Sequence, residues 1–477
     1  MSDNDLCYLS ASDVLARFKA GDLSPVAYLE ALIARTEAVN PGLNAYTEAF
    51  FDDALDAARG AEAAYENGTA RVLEGLPVAV KDAQRVAGQR TTQGSWSMGY
   101  EVETRSDPMV ERLLAAGAII PARTTTPEFC LSGVCRSERF GVTRNPFNRD
   151  YSPGGSSGGS AAALAAGMVP LATGTDIGGS IRIPASACGL VGYKPPHGRN
   201  PDGPPANFDR YNHCGFLSRS VADCALGQNI VSGPHQRDHD SLRERVVLPM
   251  GGTGRPLKIA FSMDLGYVPI DEDVQRNTLA ALDVFRGAGC EVLPVDVGWD
   301  VRVDEAAMRW YLAMHFGRAP LWALEKYRER MTDYAIATAE AAARLGPDDV
   351  AQSWEVQHEM YQRLGAILEE VDVFICPTLS VGSVRADHDP VGPGFTVAGR
   401  EVDPEYGWVL THQFNMLHNC PVMSVPTGRD RHGVPTGMQI VGPTFADERV
   451  FEAAFLYENQ APEMFLPNAA MPEGLAG

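Results

Sequence analysis

The chain has 477 residues, 45% of them hydrophobic and 21% charged, the balance of a soluble globular protein. Its net charge of −21 argues against nucleic acid or an anionic membrane surface as a partner. No apolar run is long enough for a spanning helix. The opening MSDNDLCYLS lacks the basic and apolar segments of a secretory leader, and the nine cysteines are irregularly scattered. A reducing, cytoplasmic setting is expected.

Residues 10–20 and 24–38 read as amphipathic helices, the second opened by Ser24 and Pro25. A third helix covers 51–66. These are expected to pack outside the core, with a homodimer contact as the alternative use. Leu76 to Val80 reads as a short buried strand with Lys81 at its tip. Residues 109–117 read as helix and 118–122 as strand. Later strands are predicted at 190–193, 257–261, 291–297, 371–376, 422–425 and 438–441. Helices are predicted at 272–287 and 447–458. This alternation implies an α/β fold, a large mixed β-sheet covered by helices on both faces. Residues 301–370 are mostly helical and are expected to close over the site. One domain over 1–477 is expected, with its core at about 70–230.

The densest pattern lies between Tyr151 and Asn200. Two glycine-serine turns, GGSSGGS (154–160) and GTDIGGS (174–180), flank an alanine-rich helix and a short apolar strand predicted at 168–173. Both turns can then lie at one end of the same layer. Gly178 and Gly179 allow a close backbone approach and inward N–H groups, with Ser180 directly after them. Hydroxyl and oxyanion donors would share a few residues, as acyl transfer needs. The bland alternative is a flexible linker, but apolar segments flank both turns tightly. A serine needs a base, and no histidine precedes His197 in this stretch. A lysine kept neutral by burial can serve, and Lys81 is the candidate. The bland alternative is a surface ion pair between Lys81 and Asp82.

The motifs GLPVAVKD (75–82), GGSSGGS and GTDIGGSIRIPASACGLVGYKP (174–195) resemble the amidase signature family. The resemblance continues to PVMSVPTGRDRHGVPTGMQIVGP (421–443) and covers most of the chain. It implies a Ser–cis-Ser–Lys triad with Ser180 as nucleophile, Ser156 as bridge and Lys81 as base. The 24 residues from Ser156 to Ser180 fit the family's spacing and select Ser156 over Ser157. The resemblance also implies a cis Gly155–Ser156 peptide. Backbone N–H groups of Ile177, Gly178, Gly179 and Ser180 would form the oxyanion hole. Asp176 and Arg182 would brace the turn, and Thr175 would support the loop or Ser156. Phe129, Leu131, Ser132 and Gly133 would border the substrate. A lysine base needs a pKa near 7, about 4–5 kcal/mol of destabilisation of its charged form.

Rival signals are weaker. GSSGG (155–159) matches the G-x-S-x-G elbow and would make Ser157 the nucleophile, but no apolar strand precedes it. His235 and His239, with Asp238 and Asp240, have the look of a metal cluster, but they sit in a polar loop. Trp310, Tyr311, His315 and Phe316 are either helix core or an aromatic wall. No dinucleotide fingerprint or P-loop is present. The expectation is a stand-alone amidohydrolase for a small-molecule amide, an aryl amide, ester or carbamate included, with no cofactor and no metal. A glutaminase component of a tRNA-dependent amidotransferase and a catalytically silent binding protein are the alternatives.

Overall fold

The N-terminal helices begin where their caps place them. In the computed structural model, which describes residues 3–469, Ser10 caps Ala11–Ala20 and Ser24 caps Pro25–Leu43. Each serine hydroxyl accepts a backbone N–H three residues on, at 3.0 and 3.1 Å. The second helix runs past its predicted end, through Pro41, and stops at Asn44 with φ 55°. Val39 and Leu43 are buried there, so packing extends the helix beyond what propensity supports. The third helix, Phe51–Glu66, has its predicted bounds.

Eleven strands form one mixed sheet. From one edge these are Tyr46–Ala49, Ala122–Thr124, Val78–Lys81, Leu171–Asp176, His213–Ser218 and Val191–Lys194. The sheet continues with Val422–Arg429, Pro435–Val441, Val373–Pro377, Lys258–Phe261 and Glu291–Pro294. Val78–Lys81 runs parallel to both of its neighbours. The strands from Leu171 to Val441 in this order pair antiparallel with one another.

Successive strand residues face opposite layers. Val78, Leu171, Phe216, Met423 and Ile375 face one core, shared with the helices Val221–Val231, Glu272–Gly287 and Asp447–Gln460. Ala79, Ala172 and Leu217 face a second core against the helix Gly158–Ala165. Phe374, Cys376 and Val422 face a third, with Arg302–Ala313 and Pro347–Glu370.

Two predicted strands begin late. The one expected at 118–122 forms at 122–124, and the one expected at 168–173 forms at 171–176. Pro121 and Pro170 explain both shifts, because proline has no N–H for the ladder. Two strands of this sheet have no counterpart among the predicted ones, Tyr46–Ala49 and His213–Ser218. HCGFLS has no β-branched residue, so it carries little strand signal.

Candidate active site

Lys81 ends its strand beside the parallel strand that ends at Asp176. Both therefore sit at the carboxyl ends of neighbouring strands, where open α/β sheets leave a crevice. Lys81 is fully buried. Its Nζ lies 2.6 Å from Ser156 Oγ and 2.8 Å from Thr175 Oγ1. Asp82 turns away from it, 3.7 Å from Arg123 and accepting the Thr92 N–H at 2.9 Å. The surface ion pair between Lys81 and Asp82 therefore does not form. Burial pushes the Lys81 ammonium below its usual pKa, against weaker opposing pulls from Cys130, Cys135 and Asp176.

The first turn places Ser156 by close backbone contact. A Cβ on Gly155 would stand 2.4 Å from Ser132 O, so only glycine fits. The Gly155–Ser156 peptide is cis. Ser157 points elsewhere: its N–H donates to Ser180 O at 3.1 Å and its hydroxyl to Thr175 O at 3.4 Å. These bonds also hold the two turns together. Asn148–Pro153 form no extended strand, so the elbow context for Ser157 is lacking.

The second turn is held by a buried ion pair. Arg182 meets Asp176 through Nε and Nη2 at 2.9 and 2.8 Å, with neither side chain exposed. Arg182 also donates to Thr411 O, Gln439 Oε1 and Asn415 Oδ1. Asn415 Nδ2 donates to Asp176 Oδ1 at 2.8 Å. Burial alone would raise the Asp176 carboxyl, but Arg182 and Asn415 hold it well below the usual carboxylate range. Arg182→Met would strand that carboxylate. It is expected to cost about 3–5 kcal/mol of stability. Urea unfolding reads the loss, and an unchanged midpoint at unchanged slope would show that the pair braces nothing.

One expected oxyanion donor needs correction. The Gly179 N–H donates to Asp176 Oδ1 at 2.9 Å and so faces the brace. The N–H groups of Ile177, Gly178 and Ser180 make no hydrogen bond among the described residues. Gly179 has a φ of 124°, and a Cβ there would lie 2.0 Å from Thr411 Oγ1. That hydroxyl in turn donates to Gly178 O at 2.6 Å.

A narrow cleft runs over Ser180, bordered by Leu131, Ile183, Tyr311 and Val409. Ser132 and Gly133 also border it, but their polar groups are engaged by Glu405. Ser132 Oγ donates to Glu405 Oε2 at 3.0 Å and the Gly133 N–H to Oε1 at 2.6 Å. Burial pushes the Glu405 carboxyl up to about 8. Beyond Ser156 and Thr175 opens a cavity of about 400 Å³, with Met98, Phe129, Phe316 and Trp322 on its walls.

The aromatic cluster predicted near 310 divides. Tyr311 and Phe316 line the cleft, while Trp310 stacks on Tyr211 with centroids 4.4 Å apart. The side chain of His315 lies outside the described residues. His235 lies 3.7 Å from Glu111, and the exposed His239 lies 3.2 Å from Asp240. Asp238 instead accepts the Asp202 N–H and the Asn207 amide. These side chains do not converge. Sequence reasoning missed Cys130, Glu405, Thr411, Asn415 and Gln439. Of these only Gln439 lies within a recognised motif (421–443), which does not reveal its partner, and the last four stand more than 200 residues from the segments they touch.

This fold, with buried polar turns at the strand ends, is that of the amidohydrolases acting on amide C–N bonds. The Amidase family model matches residues 27–451, and the chain belongs to that family. It is 32% identical to an acylamidase of Rhodococcus erythropolis over 97% of each chain. It is 30% identical to a glutamyl-tRNA(Gln) amidotransferase component of Geotalea daltonii, covering 95% of this chain and 97% of that one. A bacterial aryl acylamidase of the amidase signature family superposes with a TM-score of 0.89 at 29% identity, over 95% of this chain and 96% of that one. No helix among the described residues is long and apolar enough to cross a membrane.

Proposed function

We propose that the protein acts alone as a serine amidohydrolase, forming an acyl-enzyme on Ser180 with Ser156 as proton bridge and neutral Lys81 as base. The observation that carries this is the fully buried Lys81, with no carboxylate partner among the described residues and Nζ 2.6 Å from Ser156 Oγ. A lysine so placed sheds its proton easily, and its nearest hydroxyl belongs to the turn bonded to the Ser180 turn. Lys81 takes the Ser156 proton as Ser156 takes that of Ser180. Ser180 Oγ attacks the carbonyl carbon, and Ile177, Gly178 and Ser180 N–H groups receive the oxyanion. The proton returns through Ser156 to the leaving nitrogen as the C–N bond breaks. Water then attacks the acyl-enzyme by the same route and releases the acid. Ser180 Oγ makes no hydrogen bond to Ser156 Oγ among the described residues, and the proposed mechanism requires that contact to close when substrate binds.

Proton return through Ser156 puts the leaving amine on that side of the nucleophile. The 400 Å³ cavity lies there, with Phe129, Phe316 and Trp322 on its walls. The acyl group falls to the narrow cleft. Together with the acylamidase relatives, this supports anilides of short acyl chains as substrates. The helices of residues 301–370 cover the site in this reading, since Tyr311 and Phe316 border the cleft. The chain is taken as one domain built on a core at about 70–230.

The amidotransferase reading stands second, because those relatives also span 95% of the chain. A panel of acetanilide, a long-chain anilide, an aliphatic amide, a phenyl carbamate, a phenyl ester and glutamine separates the two. Short-chain anilides are expected to give the highest kcat/KM, above the long-chain anilide. Hydrolysis of glutamine alone, appearing only with an added partner, would replace the leading proposal.

A further inference from the structure

A second cavity, of about 480 Å³, lies apart from the turns that carry Ser156 and Ser180. It is within the size range of small-molecule sites. Four aromatic rings line it, from Tyr211, Trp310, Trp354 and Tyr361. Tyr211 and Trp310 stack at 4.4 Å, and Trp354 tilts toward Trp310 with centroids 6.2 Å apart. Trp354, His358 and Tyr361 recur at helical spacing along one face of Pro347–Glu370. Trp354 is 54% and Tyr361 40% exposed, so two large rings face solvent at the cavity mouth.

The charge of the lining is unusual for this chain. The net charge is −21, yet no Asp or Glu lines the cavity. Arg210 and His358 are the lining groups of basic type that can carry charge, while burial pushes the His418 imidazole down to about 3 and keeps it neutral. Arg210 is exposed and makes no hydrogen bond or ion pair among the described residues. Glu355 and Glu359 lie on the same helix but outside the lining, and Glu359 is 3.3 Å from Arg302. A planar ring can stack on the exposed Trp354 indole while a carboxylate on it meets the guanidinium, which favours flat anions.

We propose that this cavity is a second small-molecule site, separate from the reacting centre, that takes a planar aromatic carboxylate on the exposed Trp354 ring with its anion on Arg210. The site does not depend on the acyl-transfer proposal, because none of its lining groups takes part in that chemistry. Its wall nevertheless touches the brace of the Ser180 turn. Tyr211 O accepts from Asn415 Nδ2, which also holds Asp176.

Calorimetric titration with 2-naphthoate tests the proposal. Saturable one-to-one binding is expected in the wild type and in Ser180→Ala. Arg210→Gln and Trp354→Ala should each weaken it at least about tenfold. Trp354→Phe, which keeps a ring, should retain most of it. Hexanoate, which lacks the ring, and 2-acetylnaphthalene, which lacks the charge, should bind more weakly. Both wild-type side chains are exposed, so melting temperatures of the variants should match the wild type and separate lost binding from lost folding. No saturable binding of 2-naphthoate would overturn the proposal. So would binding unchanged in both Arg210→Gln and Trp354→Ala, which would put the ligand elsewhere.

Discussion

Lys81→Arg is expected to lose at least about 10³-fold in kcat/KM, nearly as much as Lys81→Ala. Guanidinium keeps its proton at any pH a protein survives, and its planar fork does not fit a site built for one nitrogen. The wild type should show kcat/KM rising with pH through an apparent pKa below the free-lysine value of about 10.4. The direction follows from burial, which disfavours the charged Lys81 and lowers its pKa. The same shift has a stability sign. In the unfolded chain Lys81 keeps its proton up to about pH 10.4, while the folded enzyme releases it earlier. The unfolded state therefore binds more protons between those two values, and stability rises with pH across that window. Lys81→Met removes this slope and should gain most in melting temperature on the acid side. Ser156→Ala should impair the same chemical step. The double variant Lys81→Ala/Ser156→Ala should lose far less than the product of the single losses. A Lys81→Arg enzyme with near wild-type rate and an unchanged pH profile would sink the lysine-base mechanism.

Ser180→Ala should remove turnover by on the order of 10⁵-fold or more. It should also abolish the mass increase produced by a sulfonyl fluoride. Ser157→Ala should keep substantial labelling, because its hydroxyl bonds to the Thr175 carbonyl and not to Lys81. Labelling that survives in Ser180→Ala and vanishes in Ser157→Ala would move the nucleophile to the other turn. The two hydroxyls lie on adjoining turns, so intact-mass and peptide mapping are both required. Folding can be checked on the same samples by circular dichroism.

What the sequence made legible was what it keeps local. Lys81 closes an apolar strand and Ser180 follows a glycine turn, so short windows make both candidates, whereas Ser156 is set apart from Ser157 only by the spacing that the family resemblance implies. Helices with serine caps were equally plain, because a cap and an apolar stripe lie within one turn of each other. The strand His213–Ser218 was not, since it holds its central place by neighbours on both sides and not by its own residues. The brace of the Ser180 turn was hidden for a related reason. Thr411 and Asn415 are single polar residues in unremarkable segments, Gln439 lies in a motif that does not name its partner, and only folding brings them to Arg182. A GGS turn offers several inward donors, so the Gly179 N–H reads as one of those for the oxyanion. Nothing local says that Asp176 claims one of them first.

The position of those late residues bears on how the enzyme is made. A ribosome that has reached residue 400 has already produced Lys81, Ser156 and Ser180. It has not produced Thr411, Asn415 or Gln439, nor the strands Val422–Arg429 and Pro435–Val441. Those two strands lie between Val191–Lys194 and Val373–Pro377, so the nascent chain has a gap through the middle of its sheet. Its Arg182 lacks three of its anchors, and its Ser180 turn is unsupported. Long-range pairing of this kind is completed late and slowly. Translation order thus delivers the proposed reactive groups first and the support that fixes them last.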